Sequence, residues 1–119
     1  MAITYYGYPK CGSCRKAKAW LDAEGLTYDD VHIVETPPSI EELKKIVEAS
    51  GLPLKKFYNT SGMKYRELGL KDQLPTMSDD EQFELLSSDG MLIKRPLVTN
   101  GSKVTLGFKE SDFIENWKQ

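Results

Sequence analysis

Residues 3–8, Ile-Thr-Tyr-Tyr-Gly-Tyr, are β-branched and aromatic and stop at Pro9, the pattern of a first strand. Residues 12–24 then run without a breaker to Gly25. Cys14, Ala17 and Leu21 fall at i, i+3 and i+7 there, which predicts a helix with those positions facing inward. Residues 28–34 mix Tyr, Val and Ile with aspartates and His32 and read as a second strand, broken by Pro37-Pro38. Ser39 followed by Glu42 is a capping box, in which each side chain satisfies a free backbone N–H. It opens a helix whose stripe is Ile40, Leu43, Ile46 and Val47, closed by Gly51 and Pro53. From 54 to 75 the pattern weakens: Asn59-Thr60-Ser61-Gly62 is turn chemistry, and Tyr65–Leu68 predicts a short helix. Ser78 with Glu81 repeats the capping box on a helix carrying Phe83 and Leu86 and ending near Gly90. Leu97–Thr99 and Lys103–Leu106 flank Asn100-Gly101, a strong hairpin signal whose turn positions need positive φ. Ser111–Trp117 places Phe113, Ile114 and Trp117 on one helical face. Trp20, Phe83, Phe113 and Trp117 are expected in the core.

The order is strand, helix, strand, helices, hairpin, helix. A strand–helix–strand start demands a parallel, right-handed crossover, and the hairpin adds antiparallel strands to the same sheet. The expected class is α/β: a thioredoxin-like mixed sheet with an inserted helical subdomain. Residues 1–119 read as a single domain with the insertion at about 39–90, without repeat or linker. Hydrophobic residues at 39% and charged residues at 29% suit a globular chain of 119 residues rather than a disordered one. A net charge of −2 gives no basic field for nucleic acid or membrane, so neither is an expected partner. No apolar run approaches the roughly 20 residues of a membrane span. Met1–Tyr6 lacks the features of a secretory signal, so a cytoplasmic monomer is the expectation. Two cysteines and one histidine fall short of a structural zinc set, so no metal is expected.

Cys11-Gly12-Ser13-Cys14 lies where the first strand hands over to the first helix. At a helix N-terminus several backbone N–H groups point outward and the helix dipole adds a partial positive charge. Both favour thiolate over thiol in a cysteine placed there. Residues three apart in a helical turn are neighbours, within reach of a disulfide. Cys11, at the exposed helix mouth, is expected to be the nucleophile, and Cys14, on the face of Ala17 and Leu21, the shielded resolving thiol. Gly12 and Ser13 are small and allow close approach of a substrate. Lys10, Arg15, Lys16 and Lys18 cluster nearby with no acidic residue before Asp22. Arg95-Pro96 is the second element: Arg95 can present a guanidinium to a thiolate or oxyanion, and proline tolerates a cis bond. Read from the residues alone, a pair of idle thiols and a surface arginine remain open. His32 has no partner set for a triad or metal and reads as structural. Asp79-Asp80-Glu81 reads as helix N-terminal charge complementarity.

Tyr6–Ala17 with its CxxC, Asn59–Gly62, Leu68-Gly69-Leu70 and Lys94–Val98 together resemble the ArsC/Spx/YffB group of the thioredoxin superfamily, over essentially the whole chain. The resemblance implies a cis-proline at Pro96 opposite the cysteines and substrate contacts at Lys10, Gly12, Ser13 and Pro96. It also implies a catalytic set of Cys11, Cys14 and Arg95. The implied activity is thiol–disulfide oxidoreductase or arsenate reductase-like, on a thiol, disulfide or oxyanion substrate. Recycling would be by glutathione or another low-molecular-weight thiol, glutaredoxin or thioredoxin, and no bound cofactor is implied. Arsenate reductases of this group place a trio of arginines around the oxyanion. Arg95 matches one, but the other positions fall on Asn59 and Phe108, with Arg66 off register, which implies weak arsenate reduction. The alternative implied by the group is a redox-sensing Spx/MgsR-like regulator that binds the RNA polymerase α subunit. Those regulators continue into a basic C-terminal segment, whereas Gln119 closely follows the last helix here, so the enzyme reading is placed first.

Overall fold

The computed structural model describes residues 2–118. Strands β1 (Ile3–Gly7), β2 (Tyr28–His32), β3 (Leu97–Thr99) and β4 (Val104–Leu106) form one sheet in the order β2-β1-β3-β4. β1 pairs parallel with β2, with Ile3 opposite Tyr28, and antiparallel with β3, with Tyr5 opposite Val98. β3 pairs antiparallel with β4. The sheet is mixed and thioredoxin-like, as the sequence predicts. Helix α1 (Gly12–Ala23) connects β1 to β2, and α6 (Glu110–Trp117) follows β4. The insertion between β2 and β3 holds α2 (Ile40–Ser50), α3 (Met63–Glu67), α4 (Leu70–Gln73) and α5 (Asp79–Ser88). Single 3-10 turns at Leu54–Phe57, Leu74–Thr76 and Gly90–Leu92 complete it, so the insertion runs slightly past the expected boundary.

The pleat of the central strands divides the core. Ile3, Tyr5 and Val98 point to one face, where Cys14, Ala17 and Leu21 of α1 meet Phe113 and Trp117 of α6. Tyr6 and Leu97 point to the other, against Leu43 and Ile46 of α2 and Phe83 and Leu86 of α5. β1 and β3 are therefore apolar on both faces, while β2 at the sheet edge carries exposed Asp29 and Asp30. Both predicted capping boxes form: Ser39 with Glu42 opens α2 and Ser78 with Glu81 opens α5. Ser87 donates from Oγ to the Pro38 carbonyl at 2.9 Å and ties α5 to the entrance of α2. The buried indole N–H of Trp117 donates to Thr105 Oγ1 at 3.0 Å.

Three local expectations change. Ile114 is 45% exposed while Phe113 and Trp117 are buried, because the sheet leaves room for only the i, i+4 pair of so short a helix. Trp20 is half-buried, edge-on to Phe113. The hairpin turn spans residues 100–103 rather than two residues. Among the described residues only glycines have positive φ, and Gly101 is one of them. Asn100 instead accepts from the N–H groups of Ser102 and Lys103 through Oδ1, an Asx turn.

Gly90 packs closely against the backbone that leaves β2. A Cβ there would lie 2.6 Å from the Ile33 carbonyl carbon and 3.1 Å from the Val34 nitrogen, both backbone atoms that cannot swing aside. Gly90→Ala should therefore destabilise the protein by about 1–3 kcal/mol, the usual range for overpacking. Urea unfolding read by circular dichroism checks this, with a lowered midpoint expected at an unchanged slope.

Candidate active site

Cys11 is the N-cap of α1. Its backbone is extended (φ −93°, ψ 119°), and its Sγ accepts from the Cys14 N–H at 3.3 Å. A thiol thus occupies the position that Ser39 and Ser78 hold at α2 and α5, and the first turn of α1 carries no acidic side chain. Local sequence explains the placement. β1 ends at Gly7, and the Cys11 N–H turns back onto the Tyr8 carbonyl at 3.0 Å, which swings the chain from strand into helix. Cys11 is partly exposed. Cys14, one turn along, is fully buried under α1, and both are free thiols. The Tyr5 hydroxyl donates to the Cys14 carbonyl at 2.8 Å and fixes the helix start to the sheet.

Burial, and then the neighbouring Cys11 thiol, push the Cys14 thiol up from its ordinary value of 9.0 to about 12. A hydrogen bond with the Tyr8 backbone and the Arg95 charge oppose that rise. A group whose folded value is raised contributes stability that is complete below its unfolded value and lost as pH rises through the folded one. Stability should therefore fall between about pH 9 and about pH 12. Burial raises the hydroxyls of Tyr5 and Tyr6 as well, and they act in the same direction. Thermal melts at pH 8 and pH 10.5 should show a drop, smaller in Cys14→Ala, which removes one of the groups.

The peptide bond between Arg95 and Pro96 is cis, as the resemblance implies, and Pro96 is buried. The Arg95 guanidinium lies over the Tyr8 ring, 5.7 Å from its centroid. Its Nη1 donates to the carbonyls of Met91 (3.1 Å), Ile93 (3.2 Å) and Gly90 (3.5 Å). Its Nε is buried without an acceptor among the described residues. Arg95 therefore props the turn before β3, and it also reaches the cysteine mouth.

A cavity of about 260 Å³ opens between these elements. Cys11 and Ser13 line it from α1, and Lys94 and Arg95 from the segment before β3. Tyr58, Asn59, Thr60 and Ser61 form the opposite wall. That wall is set by a one-residue antiparallel bridge between Tyr58 and Ile93. Backbone bonds flank it, from Asn59 N–H to the Leu92 carbonyl and from Lys94 N–H to the Phe57 carbonyl, each 2.8 Å. Gly62 closes the turn against Asn59; a Cβ there would lie 2.6 Å from the Asn59 amide nitrogen.

Of the residues expected at the site, the structure brings Cys11, Ser13 and Arg95 to this cavity, with Cys14 buried behind Cys11. Gly12 is exposed with open space around its Cα, Lys10 is exposed beside the loop, and neither lines the cavity. Pro96 follows Arg95 but is not part of the lining. Asn59, matched to an arginine position of the arsenate reductases, does line it. Phe108, matched to another, does not: its ring packs edge-on against Phe113, 4.8 Å between centroids. Arg66 donates to the Ser61 carbonyl at 3.2 Å and braces the wall from outside. Nothing in the sequence pattern marks Lys94, Tyr58, Thr60 or Ser61 as contacts, apart from the Asn59–Gly62 turn motif for the last two. His32 accepts from the Glu35 N–H through Nδ1 and stacks edge-on with Tyr8, a structural role. Among the described residues no cluster of His, Cys, Asp or Glu could hold a metal ion.

The mixed sheet with α1 crossing from β1 to β2 and the helical insertion before β3 define a thioredoxin-fold protein, and it carries a cysteine pair at the head of α1. Residues 6–116 match the ArsC family, and the chain belongs to it, within the wider ArsC/Spx/YffB group. YusI of Bacillus subtilis (strain 168) is 67% identical over 117 residues, covering 98% of this chain and 99% of that protein. The crystal structure of a putative ArsC family related protein from Bacteroides fragilis superposes with a TM-score of 0.91 at 45% identity, covering 97% of each chain. The regulatory protein MgsR of B. subtilis (strain 168) is 29% identical over 113 residues, 95% of this chain and 88% of that one. Among the described residues no helix is long and apolar enough to cross a membrane.

Proposed function

We propose that the protein is a thiol–disulfide oxidoreductase in which Cys11 is the nucleophile and Cys14 the resolving thiol. The observation that carries the reading is the unequal pair. One thiol caps a helix and faces a cavity; the other lies fully buried directly behind it. In the cycle, the Cys11 thiolate attacks a substrate disulfide and expels one thiolate, leaving a mixed disulfide. Cys14 then loses its proton, attacks Cys11 Sγ and expels the second thiolate. The causes that raise Cys14 fit this order. Burial comes first and persists, but the next is the Cys11 thiol itself, and it vanishes once Cys11 is bonded to substrate. Arg95 and the Tyr8 backbone still favour the Cys14 thiolate at that moment. Cys14 is thus restrained while Cys11 is free and released when it is needed. Glutathione or another low-molecular-weight thiol, or the proteins glutaredoxin or thioredoxin, would restore the pair, in a cytoplasmic monomer. The test is catalysed reduction of bis(hydroxyethyl) disulfide by the purified protein with dithiothreitol or glutathione, with Cys11→Ser as the blank. A rate above that blank is expected, and a rate equal to it would remove the enzymatic reading.

The similarity to MgsR favours a second reading, a redox-sensing regulator in which the same disulfide is a switch. Its test is capture of the RNA polymerase α subunit by oxidised against reduced protein. Capture that depends on oxidation, together with no disulfide turnover, would place this reading first.

A further inference from the structure

The cavity at Cys11 carries an uneven charge. Lys94 and Arg95 line it and no carboxylate does; the remaining lining groups are neutral. Arg66 adds a third cation behind the Ser61 carbonyl. This stands out in a chain of net charge −2. The two lining cations differ in freedom. Arg95 is half-buried and its Nη1 is engaged by three backbone carbonyls, yet its buried Nε keeps a proton without an acceptor among the described residues. Lys94 is exposed, and its backbone N–H is fixed to the Phe57 carbonyl, which holds its stem at the cavity. Among the described residues its ammonium enters no ion pair.

We propose that this cavity selects disulfides bearing a carboxylate close to the sulfur, and that Lys94 is the residue that sets the preference. The inference rests on the oxidoreductase reading and names its substrate class. The Cys11 thiolate bonds to one sulfur of the substrate; the S–S bond breaks and the first carboxylated thiolate leaves with its electron pair. Cys14 gives its proton to solvent and bonds to Cys11 Sγ, expelling the second thiolate. The protein has then supplied two electrons and holds a Cys11–Cys14 disulfide, which an added dithiol reduces. In the proposed pose the exposed Lys94 side chain, whose Cε lies near Gly107, swings its ammonium toward a carboxylate a bond or two from the attacked sulfur while sulfur meets Cys11. A cationic substituent in the same place is repelled by both lining cations. An exposed charge contributes modestly and is screened by salt, so Lys94 tunes the preference and does not create activity.

The experiment compares kcat/KM for dithiodiglycolate, bis(hydroxyethyl) disulfide and cystamine, with dithiothreitol as reductant and the Cys11→Ser background subtracted. The wild-type protein should favour dithiodiglycolate over cystamine. Lys94→Glu should lower that ratio about threefold to tenfold, mainly through KM, as expected when an exposed charge is reversed. Lys94→Arg should restore it, and added salt should compress it. A second measurement needs no turnover: the rate of Cys11 alkylation by iodoacetate relative to iodoacetamide, each normalised to a free thiol. That ratio should also fall in Lys94→Glu. Disulfide turnover without charge preference, or preference unmoved in Lys94→Glu, overturns the inference and leaves the oxidoreductase reading standing. Absence of turnover with all three disulfides removes that reading, and an unchanged alkylation ratio then removes the inference too.

Discussion

Cys14→Ser should arrest the reaction at its midpoint, whereas Cys11→Ser should prevent it from starting. With Cys14 replaced, Cys11 can still attack a disulfide, but no buried thiol remains to release the product, so a mixed disulfide should accumulate on Cys11. With Cys11 replaced, Cys14 stays fully buried and burial, the largest cause of its raised value, remains, so no adduct should form at neutral pH and turnover should fall to the uncatalysed rate. The wild-type protein under mild oxidation should lose two hydrogens as a monomer, because the thiols are three residues apart at a helix start. Intact-mass spectrometry without reductant separates these states. Wild type would appear lighter by two hydrogens, Cys14→Ser heavier by one substrate thiol, and Cys11→Ser unchanged. An adduct on Cys14 in the Cys11→Ser protein, or disulfide-linked wild-type dimers, would contradict the assigned order of attack. The substitution at Cys14 must also be checked for folding, since it puts a hydroxyl into an apolar cluster beside Ala17 and Leu21. Cys14→Ala serves as the control because it removes the thiol without adding a polar group.

The parts of this site that were legible in the sequence are the local ones. Cys11 and Cys14 could be placed because a strand, a turn and an amphipathic helix follow within about 20 residues, and the i, i+3, i+7 run of Cys14, Ala17 and Leu21 separates the buried thiol from the partly exposed one. The capping boxes at Ser39 and Ser78 were equally local, since each is complete within four residues. What the pattern did not reveal is the far wall of the cavity. Tyr58 meets Ile93 in a bridge of a single residue pair, across a separation that leaves no periodic trace. The segment that carries Tyr58–Ser61 is the one where hydrophobic periodicity is weakest, so the pattern does not show that it lines the same cavity as Cys11 and Lys94. Ile114 failed for another reason. Three apolar positions on a helix of eight residues suggested one face, but the sheet covers only part of it. Asn100-Gly101 does lie at the hairpin, but the Asn100 side chain provides the turn through its own hydrogen bonds, so positive φ at Asn100 is not needed.

Arsenate should be a poor substrate even when glutathione, glutaredoxin and thioredoxin are supplied. A tetrahedral oxyanion is held by charge-assisted, often bidentate contacts from arginine. In this cavity the arginine is Arg95, and its Nη1 is already engaged by the carbonyls of Gly90, Met91 and Ile93. Asn59 stands at the wall with a neutral amide, and Phe108 is packed against Phe113 outside the cavity. Arg66 is committed to the Ser61 carbonyl from the outer side of that wall. A hydrogen bond to a charged group contributes about 1.5–3 kcal/mol. Losing two such contacts from the transition state costs on the order of a hundredfold in rate or more, at tenfold per ~1.36 kcal/mol. The measurement is arsenite formation with each reductant in turn, against a Cys11→Ser blank, and turnover typical of metabolic enzymes would make arsenate the leading substrate. The converse substitution separates the two missing positions. Asn59→Arg puts a guanidinium on a residue that already lines the cavity and should raise arsenate affinity. Phe108→Arg should give no such gain and should lower stability, because it removes a ring from the contact with Phe113. A gain from Phe108→Arg alone would mean that the β4–α6 connection can reach the cysteines, and that the aromatic contact seen here is not what keeps this position from the anion.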